Sequence, residues 1–79
     1  MKRIEVSERF IEVIVDTLAV DPEECVESAR FKEDIPMDSL DVIELMVATE
    51  EEFGITINDS DVEGVETIND AINAIRSKL

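Results

Sequence analysis

From Asp38 to Gly54 the sequence leaves room for little but a helix. Asp38 offers an N-cap, Ser39 and Asp41 fill a first turn whose backbone N–H groups favour carboxylates, and Gly54 follows Phe53 as the terminator. Val42, Leu45, Met46, Thr49 and Phe53 recur at intervals of three and four and form one stripe, the expected core face. Leu40, Ile43 and Val47 form a second stripe, displaced around the helix and close to Ser39. A helix that buries one face in a small bundle would normally make the other face polar. Here that face is apolar within a ring of Asp41, Glu44, Glu50 and Glu51. Two readings stand: the edge of the core, or a partner-docking patch with an apolar centre and a charged rim.

The flanking sequence supplies the elements against which this helix packs. From Val6 to Leu18, Phe10, Val13, Ile14 and Leu18, with Val6 one turn earlier, follow helical spacing, and Ser7 is the expected N-cap. Ile11 and Val15 fall beside that face and widen it, either by deeper burial or as two exposed aliphatics, the second being the preferred reading. Asp21-Pro22-Glu23-Glu24 has the form of a helix start and opens one short turn through Glu27. Periodicity lapses from Ser28 to Met37, where Phe31 and Ile35 alone look buried and Pro36 holds Ile35 extended. Ile55-Thr56-Ile57 alternates like an extended segment, and Asn58-Asp59 caps a brief helix ending near Gly64, with Val62 and Val65 pinned inward. Thr67-Ile68-Asn69-Asp70 has the form of a capping box for a last helix with Ile68, Ala71, Ile72 and Ile75 inside. That helix ends near Lys78, and Arg76 and Lys78 suit its negative end. The expected fold is all-α, a small four-helix bundle of three longer helices and one short one with a long first loop, as a single domain over residues 1–79.

Charge narrows the function classes. Seven basic against twenty-one acidic residues, a net charge of −14, exclude nucleic acid and anionic membrane surfaces as partners, because both would repel this chain. Its partners should carry basic patches. The field is concentrated, since the thirteen carboxylates from Glu33 to Asp70 have no Lys or Arg among them. A domain of 79 residues buries a modest share of its surface, so a folded but loosely held structure is expected. Cys25, the one cysteine, cannot form an internal disulfide; it fits a reducing compartment and reads as a small apolar residue. No apolar run approaches membrane-spanning length, so no membrane insertion is expected, and the reading is a cytoplasmic monomer.

Two constellations could carry chemistry. Asp59, Asp61, Glu63, Gly64 and Asp70 fall at positions 1, 3, 5, 6 and 12 of a calcium-binding loop. The match is poor, with Glu at position 5, the charged Glu66 at position 8 and Asp in place of the bidentate Glu at position 12. An acidic calcium-binding helical protein is the alternative it supports, and no resident metal is expected. The second constellation is Ser39, which as a nucleophile needs a general base. The chain has no histidine and no Lys or Arg between Glu33 and Ile75, so Ser39 reads as a residue acted upon by another protein, in a chain that is not an enzyme.

In order, Leu-Ala-Val-Asp-Pro at 18 to 22, Phe31, Glu33-Asp34, Asp38-Ser39-Leu40-Asp41, Glu51-Glu52-Phe53-Gly54-Ile55 and Thr67-Ile68-Asn69-Asp70-Ala71-Ile72 closely resemble the acyl carrier proteins over nearly the whole chain. The resemblance implies that Ser39, flanked by Asp38 and Leu40, receives a 4′-phosphopantetheine arm from coenzyme A through a phosphopantetheinyl transferase. The arm's thiol then carries acyl groups as thioesters in fatty-acid biosynthesis or a related polyketide or specialised lipid pathway. It implies that Asp41, Ile43, Glu44, Val47, Glu50 and Glu51 meet basic patches on acyl synthases and transferases. It also implies an acyl cavity lined by Val42, Leu45, Met46, Thr49 and Phe53 of the long helix, with Val62 and Val65. The chain departs from the family in four places. Ile35-Pro36-Met37 replaces Leu-Gly-Ala or Leu-Gly-Met, exchanging a flexible glycine for a rigid proline; Thr49 stands where Leu is usual, Asn58 where Pro is common, and Gly64 sits late in the third helix.

Self-repulsion among carboxylates unpaired by bases opposes the compact state. Melting temperature is therefore expected to rise with added salt or divalent ions, and from about pH 7.5 to about pH 6. A melting temperature that falls over that interval contradicts the reading.

Overall fold

A computed structural model describes the backbone of residues 3–35 and 37–79, with side chains from Glu5 onward. The rigidity read for Pro36 lies outside the described residues, as do Met1 and Lys2. Four α-helices form, α1 (Arg3–Leu18), α2 (Ser39–Phe53), α3 (Asp59–Val62) and α4 (Ile68–Ser77), with a 3₁₀ turn at Pro22–Glu24. Three are long and one is a single turn, the all-α bundle expected. α1 packs along α2 and, less extensively, against α4.

The apolar stripes explain this arrangement. Val6, Phe10, Val13 and Ile14 of α1 are buried against Leu45 and Phe53 of α2 and Ile68, Ile72 and Ile75 of α4. Each such side chain removed from water contributes about 1.5–3 kcal/mol before the entropy of ordering is set against it. Ile11 and Val15 are half-buried and pack on the core, which corrects their reading as exposed. Ser7 is no cap: α1 begins at Arg3, and Ser7 lies in its second turn. α1 stops with Ala19 in the left-handed region at φ 55°, its N–H donating to Val15 O at 3.0 Å. α1 and α2 are also tied at one end, where Arg9 Nε donates to Glu52 Oε2 at 2.8 Å and its guanidinium lies 5.2 Å from the Phe53 ring centroid.

The long connection is stitched to the link before α4. Phe31 N–H donates to Glu66 O and Ile68 N–H to Ala29 O, each at 3.0 Å, and Asn69 N–H donates to Glu27 O at 2.8 Å. Cys25, Ala29 and Ile35 are buried here, whereas Phe31 is half-buried with its ring edge-on to Phe10. The turn after Asp21 is shorter than expected, ending at Glu24, and the Asp21 side chain makes no cap bond. Helix-start chemistry without an apolar face to dock yields only this one turn.

Asp70 performs the capping expected of it. Its Oδ2 accepts Thr67 N–H at 3.2 Å and Glu66 N–H at 3.1 Å, while Thr67 Oγ1 accepts Asp70 N–H at 3.1 Å. The Glu66 and Thr67 N–H groups hold the Asp70 carboxyl below the usual range. A carboxyl depressed in the folded state stabilises it above the unfolded value of about 3.9, and that contribution is lost as pH falls through the folded value. Between about pH 5 and pH 3 wild type should therefore lose melting temperature more steeply than Asp70→Asn. Parallel acid limbs for the two proteins would count against it.

Candidate attachment site and acyl cleft

Two reciprocal hydrogen bonds fix the start of α2. Asp38 Oδ1 accepts Asp41 N–H at 2.9 Å, and Asp41 Oδ2 accepts Asp38 N–H at 3.2 Å. Both carboxylates that bracket Ser39 are thereby turned to the backbone. Ser39 is the first residue of α2 and is exposed, and α2 contains no His, Lys or Arg. As the first two residues of the helix, Ser39 and Leu40 have N–H groups without intrahelical acceptors, at the end where the helix dipole favours an anion. A phosphodiester on the Ser39 hydroxyl fits that setting.

Ser39 also stands on the lining of a cleft of about 740 Å³, within the range of about 300–1,000 Å³ usual for small-molecule pockets. α2 contributes Val42, Leu45, Met46 and Thr49, one helical face below Ser39. The rise from Ser39 to Thr49 is about 15 Å at about 1.5 Å per residue. Val62 and Val65 line the opposite side with Ile75 of α4. Phe53, placed in this lining by its stripe, lies outside it; the ring is buried one turn beyond, under Arg9. Val42 (41 % exposed) and Val62 (38 %) line the cleft without being buried, so neither is pinned in the core as expected. Phe10, Phe31, Met37, Ile55 and Ile57 also line it. Their apolar character was plain in the sequence, but that they share one cleft was not.

Thr49 is fully buried, and its Oγ1 donates to Leu45 O at 2.7 Å. That bond satisfies the hydroxyl at an otherwise apolar position, so a threonine is accommodated without an orphaned polar group.

The second stripe of α2 is free. Leu40, Ile43 and Val47 are 61 %, 58 % and 47 % exposed, too much for the edge of a core. Of the four rim carboxylates, Asp41 is engaged in the cap, and Glu50 Oε2 accepts Ile57 N–H at 2.7 Å, anchoring the link to α3. Glu44 and Glu51 remain exposed beside the stripe.

The calcium-loop alternative does not assemble. Asp59 to Val62 is helical, Asp61 Oδ2 accepts Asn58 N–H at 2.8 Å and Lys78 Nζ lies 3.0 Å away, and Asp70 serves α4. Asn58 N–H first and Lys78 second lower the Asp61 pKa. Among the described residues no three acidic, Cys or His groups gather as a metal site. Cys25 is buried away from the cleft lining, and burial first, with Glu24 second, pushes its thiol pKa up, opposite to an activated nucleophile. No helix among the described residues is long and apolar enough to cross a membrane.

Comparison with known proteins decides the family. The phosphopantetheine attachment site family matches residues 8–75. The acyl carrier proteins of Petrotoga mobilis and Thermosynechococcus vestitus are each 42 % identical to this chain over 79 residues, all of the chain and 93 % and 98 % of their own lengths. The chain belongs to the acyl carrier proteins. It is a carrier with a phosphopantetheine attachment site and no catalysis of its own. The lack of His, Lys or Arg in α2, with the Asp38 and Asp41 carboxylates turned to the backbone, is intelligible in such a carrier.

Proposed function

We propose that Ser39 is the residue that carries 4′-phosphopantetheine, and that residues 1–79 act as one cytoplasmic carrier domain, a monomer serving fatty-acid biosynthesis. The observation that carries this reading is the exposed Ser39 at the first residue of α2, on the lip of an apolar cleft. Asp38 and Asp41 position the hydroxyl by fixing the helix start, and Leu40 beside it is solvent-exposed. The arm, once bound, supplies a thiol that holds acyl groups as thioesters.

The chain's own residues do three things in this reading. Ser39 presents a hydroxyl to a phosphopantetheinyl transferase, which brings the coenzyme A, the metal and the base. Leu40, Ile43 and Val47, flanked by Glu44 and Glu51, give the transferase and the acyl synthases an apolar patch bordered by negative charge, complementary to basic patches. Val42, Leu45, Met46, Thr49, Val62 and Val65 shelter the acyl tail from water. Support for fatty-acid synthesis comes from the full-length likeness to bacterial acyl carrier proteins and from the Glu-rich α2.

Incubation with coenzyme A, magnesium and a broad-specificity phosphopantetheinyl transferase should add one phosphopantetheinyl group to the intact mass. Ser39→Ala should abolish the addition while leaving the unfolding free energy within about 0.5 kcal/mol of wild type, as for an ordinary surface change. An unchanged wild-type mass with an active transferase, or modification that survives Ser39→Ala, overturns the assignment.

A further inference from the structure

We propose that the Asp61–Lys78 ion pair is a latch that holds α3 against α4 as a movable wall of the acyl cleft, so that its opening regulates entry and exit of the acyl chain. The proposal rests on the reading of the cleft as the acyl site, and it concerns the segment from 58 to 65. That segment is pinned at both ends. Upstream, Ile57 N–H donates to Glu50 Oε2 at 2.7 Å, holding it to α2; downstream, Phe31 N–H donates to Glu66 O at 3.0 Å and Glu66 N–H to Asp70 Oδ2 at 3.1 Å.

Between those points little holds the wall by itself. α3 is four residues, far short of the length at which a helix is stable without tertiary support. Val62 is 38 % exposed and Val65 half-buried, so both give the wall only partial apolar anchorage, yet both line the cleft. Gly64 at φ 79° stands just beyond the Glu63 C-cap, in the turn that Val65 N–H closes on Val62 O at 3.1 Å, and supplies a residue able to change backbone region when that turn opens. One carboxylate oxygen closes the arrangement: Asp61 Oδ2 accepts Asn58 N–H at 2.8 Å, tightening the turn, and lies 3.0 Å from Lys78 Nζ at the C-cap of α4. Asp61 and Lys78 themselves line the cleft, with side chains 26–28 % exposed. A partly solvated pair is worth little enough to open thermally and enough to bias the wall shut.

Amide hydrogen exchange over residues 59–65 tests the latch on unloaded protein. Lys78→Gln and Asp61→Asn, which keeps an acceptor for Asn58 N–H, should each speed exchange there about two- to five-fold, and the double variant no further. Arg76→Gln removes a neighbouring charge outside the pair and should leave that exchange unchanged. At about 1 M salt, where screening acts within about 3 Å, the gap between wild type and Lys78→Gln should close. On octanoyl-loaded protein, cleavage of the thioester by hydroxylamine should be faster in both latch variants by a similar factor. Exchange unaltered by Lys78→Gln, additive effects in the double variant, equal loosening by Arg76→Gln, or equal hydroxylamine rates overturn the proposal. Intact mass separates the two readings: failure of wild type to load overturns the role of Ser39, and the exchange comparison still decides the latch.

Discussion

The pair of hydrogen bonds between Asp38 and Asp41 decides where α2 begins, and most of what matters here follows from that. With the helix started at Ser39, positions 42, 45, 46, 49 and 53 turn towards α1, α4 and the cleft, while 40, 43 and 47 turn to solvent. A start displaced by one residue would leave the stripes in place, since spacing fixes them, but would take Ser39 out of the first helical position and change its direction relative to the cleft. Each of the two aspartates satisfies one backbone N–H that would otherwise be orphaned, a contribution of about 1 kcal/mol for such a cap. The acidic bracket around the serine is thus first a positioning device.

The same economy runs through the acidic middle of the chain. Asp41, Glu50, Asp61 and Asp70 each accept a backbone N–H, and these bonds set the starts of α2, α3 and α4 and the link between α2 and α3. A carboxylate accepting a backbone N–H is held in place, whereas Glu44 and Glu51 stand exposed at the surface. Charge excess therefore serves two ends at once, local structure and the attraction of basic partners. Among the described residues the cations on the cleft lining come from outside the acidic middle: Arg30 pairs with Glu33, Lys78 with Asp61, and Lys32 follows two residues after Arg30.

Much of this was legible in the residues. The stripes of α1, α2 and α4, the caps at Asp38 and Thr67 and the terminator Gly54, which adopts φ 64°, are local signals with local causes, and the structure bears them out. The errors have tertiary causes. Ser7 looks like a cap because capping chemistry is written in single residues, but the α1 helix is continued past it towards Arg3. Val42 and Val62 fit apolar stripes yet stay exposed, because the space they face is left open as a cleft. Phe53 obeys the same periodicity and misses the cleft, being covered by Arg9 from the distant α1. The pairing of Lys78 with Asp61 carried no sequence signal, since charge partners on different elements are not specified by spacing.

The central claim is that the tail of a carried acyl group lies in the cleft beneath Ser39 and not along the exposed face of α2. Methyl NMR of the carrier loaded with octanoyl groups, compared with the same protein bearing the unacylated arm, measures this directly. Chemical-shift changes and contacts from the octanoyl chain are expected at Leu45, Val62, Val65 and Ile75. Changes confined to Leu40, Ile43 and Val47 would contradict it.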